Sequence, residues 1–570
     1  MIAARLDPAR RRALVALAAL AGLLALVGCA RIPVEGPVQQ GAEVVSAEDQ
    51  DTLYYPGSPV AGATEADIVT GFLEAGTGTA DNYKVAREFL TPASSVAWDA
   101  TARTVVVESA PKAETKGDGL VHVTMDVVAE VDAHGRYREH ADPQPAAIDF
   151  TLEQVDGQWR IADAPEGIVL LKQNFVNIFA PFPVSFLDAS ETFIVPEIRW
   201  FPSHATAPTR IVQALLAGPT GWLAEGGVKT VFPAGTQLLG PIIPDEASAE
   251  ANFSSAISSA DPEAYPLMKL QLVESLSSFP AIDAVTMLVN GAKIDVEVPA
   301  PDSVVVHSQV NVLPLVVRDG QIGYLSGDAV SPIPGADGLQ AVLPGLEASA
   351  GAVSDRVGIG TFLTPHGVVA VPYGGGATVP IDDRPKLLAP TIGPWGFVWT
   401  LPEGGTTLRV SDPIYGYGTD LELPNMGQTA VRALSLSRSG TTLSLAIERN
   451  GKAAIATMAV TRDATTGRPI GLGEPQILEV DAQRAIDLSL VDSTTVALLA
   501  SDASGQTEVF IHQLGGTTER YGGVEGGAHI EGSNTRAGLR VSDGDGSVYV
   551  PRSTQWQASG ARVDFLVAQS

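Results

Sequence analysis

Two stretches decide the fold: Leu434-Ser-Leu-Ser-Arg-Ser-Gly-Thr-Thr-Leu-Ser-Leu-Ala446 and Leu488-Ser-Leu-Val-Asp-Ser-Thr-Thr-Val-Ala-Leu-Leu-Ala500. Each is an apolar run, a small polar turn, a Thr-Thr pair and a second apolar run, and the copies lie 53–54 residues apart. Outward from them, apolar runs of 4–8 residues alternate with turns at Asp319-Gly320, His366-Gly367, Pro394-Trp395-Gly396, Ser439-Gly440, Asp492-Ser493 and Asp545-Gly546. The mean spacing of about 45 residues is that of a four-stranded propeller blade. Residues 311–570 are therefore expected to form an all-β propeller of about six blades, with five or seven as alternatives and a pair of β-sandwiches as the competing architecture. Ring closure would remove the exposed edges that so many short strands create.

The chain ahead of this region mixes helix and strand patterns. In 61–170, Ile68, Phe72 and Leu73 share a helical face, and a second helix is expected over 81–90, stopped by Thr91-Pro92. Strand patterns follow at 104–107, 121–131 and 148–155, with Asp156-Gly157 turning into Gln158-Trp-Arg-Ile161. Helices followed by a curved antiparallel sheet resemble NTF2-like α+β cone folds, which often carry a pocket. Residues 171–310 read as an α/β unit. Strands are expected around Pro196, helices over 209–216 and 265–277, and a hairpin of 285–289 and 294–298 about Asn290-Gly291. Its segments Arg210-Ile-Val-Gln-Ala-Leu-Leu-Ala-Gly-Pro-Thr220, Val231-Phe-Pro-Ala-Gly-Thr-Gln-Leu-Leu239 and Val285-Thr-Met-Leu-Val-Asn-Gly291 resemble a GerMN domain. That resemblance implies a binding module on an exported protein and carries no catalytic residues.

The only cysteine, Cys29, closes Leu26-Val-Gly-Cys29, after an apolar run from 13 to 27 and the basic Arg5, Arg10, Arg11 and Arg12. A charged start, a short apolar stretch and small residues before the cut make an export signal. The run falls short of the ~20 residues a spanning helix needs. This is the lipobox pattern. It predicts cleavage of 1–28, lipidation of Cys29, and localisation at the cell membrane on the extracytoplasmic face; an uncleaved anchor helix is the alternative. Residues 29–60, rich in Pro, Gly, Gln and Ser, read as a flexible tether.

Net charge is −29, and loss of the signal's four arginines and one aspartate takes it to about −32. Such a chain repels nucleic-acid phosphates, so no nucleic-acid partner is expected. With Cys29 lipidated, no thiol remains for disulfide or metal chemistry. The eight histidines show no ligand spacing, and no Gly-x-Ser-x-Gly elbow occurs. Asp543-Gly-Asp545-Gly-Ser547 opens like a calcium loop but lacks the later carboxylate, so a hairpin turn is expected. His366 and Tyr373-Gly-Gly-Gly376 read as turn and loop. No catalytic residue, metal or cofactor is assigned. Trp395 and Trp399 read as packing within and over the blades, with Trp395 also a candidate partner-binding anchor, since aromatic residues dominate interface hot spots.

The start Gly28-Cys-Ala-Arg-Ile-Pro-Val-Glu-Gly-Pro-Val-Gln39, the GerMN segments and Trp395-Gly-Phe-Val-Trp-Thr400 together resemble the actinobacterial lipoprotein family LpqB. The resemblance covers essentially the whole chain. It implies a non-enzymatic accessory lipoprotein whose partner is the extracytoplasmic domain of the sensor histidine kinase MtrB. That kinase acts with the response regulator MtrA in cell-envelope homeostasis and division. A receptor for a small envelope-derived ligand, or an enzyme acting on wall glycan, are the alternatives.

Overall fold

The computed structural model describes residues 55–570 apart from 204–205, 246, 301–302 and 464. The expected signal, Cys29 and most of the tether lie outside the described residues. Thr64 starts helix α1 (Glu65–Ala75) with a capping box: its side chain accepts the Asp67 N–H while the Asp67 carboxylate takes the Thr64 N–H. Short helices α2 (Lys84–Arg87) and α3 (Pro92–Ala97) follow. The helix expected over 81–90 is cut short because Asp81, Asn82 and Tyr83 hold φ of 49°, 55° and 59°. That left-handed backbone cannot continue a right-handed helix.

Strands β1 (Arg103–Val107), β2 (Lys112–Gly117), β3 (Leu120–Asp132), β4 (Tyr137–Val155), β5 (Gln158–Asp163) and β6 (Ile168–Leu171) form one sheet in the order β5-β4-β3-β1-β6, with β2 beside β3. Asp156 and Gly157, at φ 54° and 72°, make the expected turn. The first half of β4, hidden in the sequence by Pro143 and Pro145, pairs with β3 nonetheless. The cone interior is full. Phe72 lies against Trp98 (5.1 Å) and Phe150 (6.0 Å), leaving a void of about 10 Å³, too small for more than one water.

Helix α4 (Lys172–Ile178) leads into a two-stranded ribbon, β7 (Phe179–Leu187) and β8 (Ile194–Pro202). β8 runs straight through Pro196, which sits opposite Ser185 in the ribbon register, so the expected pair of strands is one. Then come α5 (Ala207–Ala217), α6 (Gly221–Glu225), β9 (Pro244–Asp245), β10 (Ser248–Phe253), α7 (Ala264–Leu276), β11 (Ala284–Val289) and β12 (Ala292–Lys293). β10 and β11 are parallel and joined through α7, which a parallel crossover requires. Asn290 and Gly291, at φ 47° and 83°, make the tight turn. The return strand is the two residues of β12, earlier and shorter than the expected 294–298.

From Leu315 onward six blades follow, five of four strands and the fourth of five. Blade 1 is Leu315–Arg318, Gln321–Ser326 and Ala329–Pro332, with the C-terminal strand Phe565–Gln569 added innermost. Blades 2 and 3 begin at Ala350 and Thr391, and blades 4, 5 and 6 at Thr429, Arg484 and Gly527. The ring is thus closed by pairing its last strand with its first, which leaves no open end. The two repeated stretches occupy the same place in blades 4 and 5: end of the first strand, turn, start of the second. Leu434 pairs with Leu445, and Leu488 with Leu498. Thr495–Ser501 is buried along its whole length, as are the first six residues of Thr442–Arg449, because both faces are covered by neighbouring blades.

Candidate functional site

The residues that unite the three domains lie on the ribbon. Its alternation sends Ile198 and Trp200 one way and Glu197 and Arg199 the other. Trp200 stacks with Phe175 (5.2 Å) and Tyr137 (5.1 Å) in the core of the first domain. Its indole N–H donates to the Gly515 carbonyl of blade 5 at 3.1 Å. Gly515 has φ 77°, and a Cβ there would stand 2.9 Å from the Ile198 carbonyl, so only glycine permits the approach. On the other face Arg199, fully buried, donates to Glu197 (2.8 Å), to the His134 carbonyl of the first domain (2.9 Å) and to the Gly218 carbonyl (3.3 Å). Glu197 also accepts the Thr220 N–H at 3.1 Å. A buried ion pair persists only with such additional hydrogen bonds.

A second set of contacts holds the propeller. Trp395 and Phe193 meet as a T-shaped pair with centroids 5.6 Å apart, and the Arg356 guanidinium lies over both rings at 5.6 and 5.0 Å. Trp395 is therefore half-buried against its own chain, and Trp399 is buried in the core shared by blades 3 and 4. The connecting strand of chain is stitched on both sides. Val305 bridges to β8, and Asn534 clasps Val310 through two hydrogen bonds of 2.9 and 2.7 Å. Arg438 donates to the Ser308 carbonyl and to Asn534; burial brings its guanidinium down to about 10. Glu531, close to it among the first strands of several blades, is half-buried. Burial, then the nearby Asp487 carboxylate, push its carboxyl up to about 8, against the Ser489 hydroxyl that donates to it.

Between the domains lies a cleft of about 670 Å³. One wall comes from the first domain, where Arg138 and Glu130, and Arg136 and Asp132, face each other at 3.5 and 3.8 Å. The opposite wall is hydroxyl-rich, with Ser439, Thr441, Thr457 and Thr494 of the propeller. At one edge Thr518 sits between His512 (3.1 Å) and Glu139 (3.2 Å). Burial brings the imidazole of His512 down to about 4, so it is neutral at physiological pH; burial also raises the Glu139 carboxyl. A base that weak does not activate a hydroxyl. The cleft thus sets paired charges on one wall against hydroxyls on the other.

The outer rim of blades 2 and 3 is different. The turn Pro413–Gly416 exposes Ile414 (53 %) and Tyr415 (82 %) beside an apolar hollow of about 250 Å³ lined by Val357, Pro372 and Val379. In Asp543-Gly-Asp545-Gly-Ser547 the Asp543 carboxylate accepts the Asp545 and Ser547 N–H groups and the Tyr549 hydroxyl, so it serves the hairpin. Among the described residues no group of three His, Cys, Asp or Glu side chains could hold a metal ion. Nor is any described helix long and apolar enough to cross a membrane. The sequence reading passed over Trp200, Arg199 and Gly515. The alternation of Glu197 and Arg199 inside the apolar run Phe193–Phe201 was the available signal for the buried pair.

Three family models match the chain: "Lipoprotein LpqB, N-terminal domain" over 58–176, "Sporulation and spore germination" over 183–295, and "Lipoprotein LpqB beta-propeller domain" over 317–563. A Lipoprotein LpqB of Streptomyces coelicolor is 26 % identical over 612 residues, covering 96 % of each chain. Those of Cutibacterium acnes and Thermobifida fusca are 28 % and 30 % identical, over 59 % of this chain in each case. The matched region spans 58 % and 57 % of those two relatives' own length. Among solved structures, the tandem GerMN domains of GerM from Bacillus subtilis are 18 % identical, covering 26 % of this chain and 59 % of that one, at TM-score 0.19. A nidogen/laminin complex covers 42 % of this chain and 88 % of its own at 12 % identity and TM-score 0.31.

Proposed function

The chain belongs to the LpqB lipoprotein family, and from that premise we propose that it is a lipid-anchored accessory protein on the outer face of the membrane that binds and modulates an MtrB-like sensor histidine kinase. The observation that carries this reading is the joining of three domains into one body through Trp200, Gly515 and the Phe193–Trp395–Arg356 cluster. A body of that kind presents a binding face whose shape is set by the packing of its own domains. The propeller rim at Ile414 and Tyr415 is the partner surface: an exposed aromatic beside an apolar hollow on an otherwise acidic protein suits a protein interface. Trp395 is engaged by Phe193 within the chain and is not part of that face.

The test is calorimetry of residues 30–570, without lipid, against the purified extracytoplasmic domain of the cognate kinase. Saturable binding at micromolar concentrations or tighter is expected. Tyr415→Ala should weaken it about tenfold or more, in the range of an interface hot spot, with an unchanged melting temperature. Absence of binding at high protein concentration overturns the reading.

The three-domain cleft favours a second reading, a receptor for a small polar envelope-derived ligand. Such a ligand shifts signalling only through different affinities for two states. Stabilisation of the chain by soluble peptidoglycan fragments in a thermal-shift titration supports it, and no shift with any of them removes it.

A further inference from the structure

A groove of about 800 Å³ runs along the first domain between α1 and the β1–β6 edge of the sheet, outside the filled cone. Its walls are largely apolar, with Ile68, Leu73, Val107, Val169 and Leu171 contributing beside the Phe89 ring. Residues 55–62 roof it as a strap pinned at both ends. At one end the Pro56 ring lies so close to Gly78 that a Cβ there would stand 2.8 Å from it. At the other, the Gly62 N–H donates to Gln158 at 2.8 Å. Between the pins Val60 is exposed (73 %), as is Tyr55 (85 %) just ahead of Pro56. A groove of this volume with a largely apolar lining has the size of a small-molecule site.

We propose that this strapped groove takes one acyl chain of a membrane lipid with a neutral or amine-bearing headgroup. Three observations choose that occupant. The lining is mainly aliphatic, with Phe89 and Tyr55 its aromatic members, which suits a flexible hydrocarbon chain. None of the lining residues is Lys or Arg, while the carboxylates of Asp67 and Glu74 are among them, so the free carboxylate of a fatty acid is repelled and an ester or ammonium is tolerated. The strap is also the point where the chain enters from its amino-terminal arm. Cys29 stands 26 residues before Tyr55, a span of at most ~90 Å when extended. For its access to lipid the site rests on the anchoring proposed above; its chemistry does not.

The experiment uses residues 30–570 and donor vesicles of phosphatidylcholine doped with phosphatidylethanolamine carrying a fluorescent acyl chain. Saturable transfer to the protein at one lipid per chain is expected. Thr70→Trp and Ala110→Trp, both on the exposed rim of the groove, should each lower affinity at least tenfold. The circular-dichroism spectrum and melting temperature of each should match the parent. Tyr415→Ala, at the propeller rim, should leave lipid transfer unchanged, and the two groove variants should leave kinase binding unchanged, so the two proposals fail separately. No saturable transfer, or transfer that survives both groove variants, overturns the site. Transfer to a chain starting at 55 but not to one starting at 30 shows that the arm itself fills the groove and overturns the lipid assignment. Palmitate binding as tight as phosphatidylethanolamine overturns the headgroup assignment.

Discussion

Trp200→Phe keeps the stacking on Tyr137 and Phe175 and removes only the N–H donated to Gly515. It should cost about 1 kcal/mol, the net worth of one hydrogen bond, in urea unfolding followed by intrinsic fluorescence. Gly515→Ala acts on the same contact from the other side and is more severe, because a Cβ at positive φ is driven against the Ile198 carbonyl. A loss of about 1–3 kcal/mol is expected. Glu531 gives a pH signature. With its carboxyl raised to about 8, the folded chain holds a proton that the unfolded chain has lost at every pH between the ordinary 4.5 and about 8. Stability from this group therefore falls as pH rises through that window. Glu531→Gln should melt close to the parent at pH 5 and above it at pH 8, by an amount on the order of 2 kcal/mol. Equal shifts at both pH values would mean that the carboxyl ionises normally in the fold.

At the scale of elements, the linker and the ribbon do the joining. Asn534→Ala removes both hydrogen bonds to Val310 and leaves the Arg438 side chain with fewer acceptors. Faster limited proteolysis between 303 and 314 is expected, with the propeller fragment surviving intact. Trp395→Ala removes the ring paired with Phe193, one of the two rings beneath Arg356. In a double-mutant cycle with Phe193→Ala, coupling of about 0.5–1.5 kcal/mol is expected for an aromatic pair. Additive effects would mean that the two rings do not act as one contact. The elements themselves were unevenly legible. α5, α7 and the paired Leu-Ser-Leu strands follow from periodicity and turn residues. β7 and the first half of β4 have no counterpart among the expected strands, since prolines at 143, 145, 181 and 183 interrupt the pattern that marks a strand. The helix over 81–90 failed because three successive left-handed residues carry no marker such as glycine.

At the scale of the whole molecule, closure by the C-terminal strand dictates how the propeller stands or falls. Phe565–Gln569 completes blade 1 and also runs beside Ala350–Ser354 of blade 2. A chain ending at Asp564 exposes two strand edges at the ring's centre. It should lose the single cooperative melting transition and elute from gel filtration as aggregate. A soluble monomer with parental melting would show that ring closure is dispensable.

Composition, the repeated stretches and the turn spacing by themselves determined the class of each domain and the order in which they follow. Such signals are local: an apolar run of 4–8 residues between turns, or a helical stripe, means the same thing wherever the chain goes next. Only the tertiary structure decided where those domains touch. Trp200 reaches Gly515 across 315 positions, and Asn534 holds Val310 across 224. Nothing within either neighbourhood encodes such a distance. It also decided that the cone is packed solid while open space lies beside it, under the strap. Volume left between elements depends on how their side chains interdigitate, and a one-dimensional pattern of apolar residues does not carry that quantity.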